Sequence, residues 1–337
     1  MLRIASLAVD RRIELLYSIL LNTSWRDVGI MKRNYPYKLR LVKFSEAFKE
    51  HKAVVLCEEL IRRGFVFDAL HAFAVHLSDP PSLTLAKPLT EDLVKRAGTP
   101  DILMEFTARI KSYYDDSSFE EFWRKNIEFY RRVEENAKKY INLNKIIDII
   151  EDYFGLKKGK YSVVLLALSR YSYGYSIGDK EAYAFVQPTT INEEGLPEYR
   201  SWDSIIHELS HSFVNPLTEE FETDFMNIDK LLECAQSVMK RLISGLLGSL
   251  SKSIKEEAYG DWKMFVNEHI VAATVLRIAE KLGYLNSDRL ERFLQFYERR
   301  GLVYIRSVYK TLLNYDRAKY SSFKEFYPEI IKLFNGI

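Results

Sequence analysis

Trp202-Asp203-Ser204-Ile205-Ile206-His207-Glu208-Leu209-Ser210-His211-Ser212-Phe213-Val214-Asn215-Pro216 is the stretch on which the reading of this chain turns. Its apolar residues Trp202, Ile205, Ile206, Leu209 and Phe213 recur at helical spacing. Ser201 or Asp203 is placed to cap the start, and Asn215-Pro216 predicts the stop. On such a helix His207 and His211, four apart, stand one turn above each other on the same face, so both imidazoles can meet one metal ion. Glu208 then lies beside that ion. This is the HExxH spacing, in which two histidines hold zinc and the intervening glutamate polarises a zinc-bound water. In a chain with six histidines the pattern arises by chance in roughly one case per hundred.

Upstream of this helix the composition changes. Residues 161–168 are short, apolar and partly β-branched, residues 171–179 end in a turn, and residues 181–187 are stopped by Pro188, which predicts three strands. Three strands running straight into the His207 helix form an α+β unit. The first 155 residues keep a helical rhythm over about 11–21, 45–63, 67–76, 91–96 and 100–114, with a long amphipathic helix over 119–140 and another over 144–154. Helices return after Pro216, over about 222–247, 255–282, 287–299, 303–315 and 323–334. The expected fold is therefore α+β and predominantly helical. Residues 1–155 form a helical N-terminal region, and residues 156–337 hold a small sheet, the HExxH helix and C-terminal helices.

Composition removes several classes. Apolar residues make up 47% and charged residues 28%, a globular balance. The net charge of +2, without a long basic block, gives no electrostatic case for nucleic acid. The longest apolar runs, such as 163–168, fall far short of the 18 or more residues of a membrane span. Charges at Asp10, Arg11 and Arg12 interrupt the N-terminal segment too early for a secretory signal, so a cytoplasmic location is expected. Cys57 and Cys234 match no metal or redox spacing and are expected as reduced, buried thiols. Scarce glutamine beside plentiful charge leans thermophilic. Residues 155–161 look superficially like a phosphate loop but end in Tyr161 and lead into a strand, not a helix.

A two-histidine zinc site usually takes a third protein ligand and leaves a fourth position to water. Val214 and Leu217 stand where the metzincin pattern needs glycine and histidine, which excludes that version. Glu219, Glu220, Glu222 and Asp224 follow a proline and read as a solvated acidic turn. Glu268 is the stronger candidate. On the helix predicted over 255–282 it shares a face with Asp261, Met264, Phe265, Val271, Ala272, Val275 and Leu276, and a carboxylate in the middle of so apolar a stripe is costly without a partner. Zinc would be that partner; an arginine or tyrosine is the alternative. His269 is expected either as a core histidine or as a donor to substrate.

His207-Glu208-x-x-His211 followed by Asn267-Glu268, 57 residues after His211, resembles the gluzincin metallopeptidases. The block His207 to Pro216 resembles more closely an uncharacterised bacterial and archaeal branch of these proteins, a domain of unknown function. Weaker likeness extends to Tyr35-Pro36-Tyr37, residues 119–130 and residues 267–273. The resemblance implies a zincin-like peptidase fold and zinc (Zn2+) held by His207, His211 and Glu268. It also implies a peptide or protein substrate, with Glu208 taking a proton from the zinc-bound water and passing it to the leaving amine. Tyr259, nine residues before Glu268, resembles in placement a transition-state tyrosine, with His269 as runner-up. Such enzymes align substrate against an edge strand before the HExxH helix, and residues 183–187 are the segment nominated. One departure stands out: thermolysin-like members carry an aspartate where this chain has Ala272, so the zinc-binding histidines need another outer partner. Asp261, Asn267, Asn215 or a main-chain carbonyl could serve. The rival expectation is a non-catalytic helical interaction protein with a structural or vestigial metal site. Glu208 favours catalysis, because a structural site needs no general base.

Overall fold

Ile4–Ala8 (β1) pairs in parallel with Lys160–Leu165 (β2), so the sheet expected from three strands has four. The computed structural model describes residues 3–243 and 261–336, and over these the chain is α+β and predominantly helical. β2 pairs in parallel with Glu181–Val186 (β4), and Tyr173–Ile177 (β3) folds back antiparallel onto β4. The order across the sheet is β1-β2-β4-β3. β2 and β4 are buried almost throughout, as central strands covered on both faces must be, whereas Gly174 to Ile177 of β3 are only half-buried. A two-residue pair, Thr190–Ile191 (β5) with Pro197–Glu198 (β6), completes the strands described.

The strand nominated at residues 183–187 is therefore not an edge. Its Tyr183 stands opposite Ser162 on one side and Tyr175 on the other, so both of its ladders are used. The open edge near the HExxH helix belongs to β3.

Ten helices fill the first part of the chain: Arg11–Leu20 (α1), Trp25–Gly29 (α2), Pro36–Glu46 (α3), Lys52–Arg62 (α4), Asp68–Ala74 (α5), Glu91–Ala97 (α6), Pro100–Asp116 (α7), Phe119–Lys125 (α8), Ile127–Tyr140 (α9) and Leu143–Phe154 (α10). Two predicted helices are broken. The one expected over 45–63 is the tail of α3 and then α4, restarted where His51 Nδ1 accepts from Ala53 N. The one expected over 119–140 breaks at Asn126, whose amide donates to Phe122 O and accepts from Arg40 Nε, so its side chain is fixed from two sides. Side-chain bonds of this kind compete with the helical ladder.

After the sheet come Trp202–Glu220 (α11), Ile228–Ile243 (α12), Trp262–Lys281 (α13), Ser287–Arg299 (α14), Ile305–Leu312 (α15) and Phe323–Asn335 (α16). α11 does not stop at Pro216; it runs through it. Proline removes one main-chain bond, and the turn beyond it is held by buried Leu217 and by Thr218, whose hydroxyl bonds Asn267 Oδ1 and the Tyr327 hydroxyl. The acidic residues beyond are solvated as expected, with Glu220 paired to Lys324 and Glu222 to Lys263. α11 packs between the β3–β4 side of the sheet and α13, so the HExxH helix is clamped from both sides. Cys57 and Cys234 are free thiols. Among the described residues no helix is long and apolar enough to cross a membrane.

Candidate metal centre

Each metal-binding candidate is delivered by a long helix whose opposite face is core. On α11, Ile205, Ile206, Leu209 and Val214 are fully buried, which leaves His207 and His211 to project from the remaining side. On α13, Val266, Ile270 and Val271 are fully buried around Glu268. Next to it, Asn267 accepts the Thr218 hydroxyl, tying α13 to α11 one residue from the carboxylate. The start of α11 is fixed by its Ser201 hydroxyl, 3.1 Å from the Thr189 hydroxyl.

The three groups converge. His207 Nε2 lies 3.2 Å from His211 Nε2, and the Glu268 oxygens lie 3.4 Å from His207 Nε2 and 3.3 Å from His211 Nε2. Charge-assisted hydrogen bonds are normally shorter, about 2.7–2.9 Å. Ligands about 2.0–2.1 Å from a tetrahedral zinc ion, by contrast, lie about 3.3 Å from one another. The separations lie near that spacing, although the two from Glu268 are made by different oxygens, Oε2 to His207 and Oε1 to His211. The donor set of two imidazoles and a carboxylate is also that of a catalytic zinc site with one open position. Glu268 keeps 39% of its side-chain surface exposed, so the cluster is reachable from solvent.

Glu208 sits beside this triangle, with its oxygen and the two histidine nitrogens all within 4.8 Å of one another. Burial pushes its carboxyl pKa up, the two imidazoles oppose that shift, and the Glu268 charge adds to it. Glu268 behaves in the opposite way: burial would raise it, but the imidazoles of His207 and His211 outweigh burial and hold it well below the usual carboxylate range. His211 completes the coupling. Burial disfavours its charge, yet the Glu268 carboxylate pushes its pKa up to about 9.

Where α13 has Ala272, a partner for His211 comes instead from its own helix, α11. His211 Nδ1 lies 3.1 Å from Asn215 Oδ1, one turn along α11, a contact that orients the ring and turns Nε2 toward the cluster. Of the other partners considered, Asn267 is engaged with Thr218 and Asp261 caps α13 by accepting from Lys263 N at 2.8 Å.

His269 is 1% exposed, with Nδ1 on Phe265 O and its ring packed among Phe265, Tyr304 and Phe334. Burial pushes its pKa down to about 4. This is the environment of a core histidine. Tyr259 lies outside the described residues. Tyr297 of α14, which the sequence reading did not single out, has its pKa raised first by burial and then by the charges of Asp203 and Glu268. It follows the motif by some ninety residues and no local pattern marks it.

β3 meets this site through its glycine. A Cβ built on Gly174 would lie 2.5 Å from the main-chain oxygen of Glu208, so only glycine allows the edge strand to seat directly on the HExxH turn.

Comparison with the curated proteins and with the solved structures finds no match. The family model described as a domain of unknown function, DUF4932, matches residues 5–333. Because that match takes in both the sheet from β1 onward and the helices carrying His207, His211 and Glu268, the chain belongs to the DUF4932 family.

Proposed function

We propose that this protein is a zinc-dependent peptidase in which His207, His211 and Glu268 hold the ion and Glu208 is the general base. The observation that carries the reading is Glu208 itself, a buried carboxylate with raised proton affinity beside a three-ligand cradle. When bound, zinc would supply a polarised water of pKa roughly 7 and a Lewis acid for the substrate carbonyl.

The chain's own residues account for the proton. Glu208 accepts it as the water attacks, holds it readily because burial disfavours its charged form, and delivers it to the departing amine. Tyr297, whose pKa responds to the Glu268 charge, is the candidate phenol to donate toward negative charge developing on the carbonyl oxygen. Asn215 keeps the His211 ring oriented. The half-buried edge of β3, seated on Glu208 through Gly174, offers main-chain groups to an extended peptide.

The test compares the purified wild type with Glu208→Gln for bound metal and for cleavage of a peptide mixture followed by mass spectrometry. Zinc in both, with cleavage by the wild type alone, is the expected result. Zinc in both without cleavage by either would assign the ion a structural role, and no metal in either would sink the site.

A further inference from the structure

A crevice of about 460 Å³ opens at the carboxyl ends of β2 and β4, the end of a parallel pair where ligands bind in open sheets. Lys32, Arg33 and Arg170 line it together with Gln187 and Thr189, and no acidic residue does. In a chain with 49 basic and 47 acidic residues, basic side chains are commonly paired, as Arg131 is with Glu128 and Glu135 and Arg306 is with Glu291 and Glu298. These three are not so paired among the described residues. Lys32 and Arg33 are exposed, and Arg170 is anchored through main-chain carbonyls, Nη1 lying 3.3 Å from Asp27 O and 3.1 Å from Val28 O. Its anchoring fixes the guanidinium without neutralising it.

Two separate paths relate the crevice to Glu208. Thr189 is bonded to Ser201 at the start of α11, two turns before Glu208, which is about 10 Å along the helix axis. Arg170 precedes Gly174, the residue seated on Glu208, by four positions, at most about 13 Å of extended chain. A peptide lying on the β3 edge thus has its cleaved bond and this crevice within a few residues of each other. Antiparallel pairing, the more stable arrangement, would direct its C-terminal end toward the start of β3, where the crevice lies.

We propose that the crevice binds a carboxylate of the substrate on the C-terminal side of the cleaved bond, about three to four residues beyond it. This rests on the peptidase reading for its position, and selects acidic peptides or peptides with a nearby free C-terminus.

The experiment uses zinc-loaded, full-chain Glu208→Gln and two fluorescent octapeptides of otherwise identical sequence, one ending in Asp-Glu with a free carboxylate and one ending in Asn-Gln amide. The acidic peptide is expected to bind about 10-fold tighter. That preference should shrink as salt rises and vanish in the Lys32→Glu/Arg33→Glu variant, whose two side chains are exposed and form no salt bridge among the described residues. Equal binding of the two peptides, or a preference that survives the charge reversal, overturns the crevice. Wild-type enzyme given the same pair separates the two ideas. Cleavage without charge preference overturns the crevice alone, whereas charge-selective binding without any cleavage supports the crevice and overturns the peptidase reading.

Discussion

The Glu268 carboxylate of α13 stands 3.3 Å from the His211 imidazole of α11, and its second oxygen reaches His207 at 3.4 Å. One side chain therefore closes a triangle whose other two corners come from a different helix. Glu268→Ala should weaken zinc retention, in competition with a chelator, by more than the loss of about 10–100-fold that removing an outer partner costs. Unchanged affinity would move the third-ligand role to another carboxylate.

Asn215 supports the same site at one remove. Loss of an outer partner to a metal-binding histidine costs about 10–100-fold in metal affinity, so Asn215→Ala should fall in that range. Asn215→Asp keeps an acceptor for His211 Nδ1 and should recover most of the loss. Equal affinity in the wild type and Asn215→Ala would show that the ring is held by something else.

Tyr297→Phe separates chemistry from metal binding. Removing one donor to a developing oxyanion costs about 100-fold in rate, so kcat should drop by that order while zinc content stays at the wild-type level. A variant with full kcat would remove Tyr297 from the mechanism.

Gly174→Ala tests the seating of β3 on α11. The added methyl meets main chain, which cannot swing aside, so a loss of about 1–3 kcal/mol is expected in a denaturant titration. An unshifted midpoint would contradict the close approach.

Glu14 gives the fold a pH dependence of its own. It is fully buried, accepts from the Tyr37 hydroxyl, and burial pushes its pKa up to about 8 despite that bond. A carboxyl raised in the folded state keeps its proton there more tightly than in the unfolded chain. Its stabilisation is complete below the unfolded value near 4.5 and is lost as pH rises through about 8. The slope from this group is at most about 1.4 kcal/mol per pH unit. Unfolding measured from pH 5 to 8 should show stability falling in the wild type and a flatter profile in Glu14→Gln.

The site was more legible in the sequence than the sheet that supports it. His207, Glu208 and His211 stand out by spacing, a signal local to one helix. The apolar stripe that singles out Glu268 is less buried than it reads, since Glu268 keeps 39% of its side chain exposed and Met264 beside it is exposed. What places the carboxylate is the facing pair of histidines on another helix. Strand order is not local. β1 is five residues long with Ile4 and Ala5 exposed, so nothing in it announces a strand until Lys160–Leu165 is beside it. Once β1 and β2 fill one side, β4 becomes central, and the expected edge passes to β3. The break at Asn126 and the passage of α11 through Pro216 were hidden for the same reason: Arg40, Asn267 and Tyr327, which enforce them, are distant in sequence.

The parallel pairing of Ile4–Ala8 with Lys160–Leu165 also sets the order in which the molecule can be assembled. During synthesis the first strand waits through ten helices before its partner exists, so the sheet closes only after the helical region has been made. A fragment beginning at residue 156 would carry His207, His211 and Glu268 yet present the bare flank of β2, a central strand without its neighbour and a template for association with other copies. The half that carries the His207–Glu268 cluster is thus not portable: its sheet is finished by five residues at the far end of the chain.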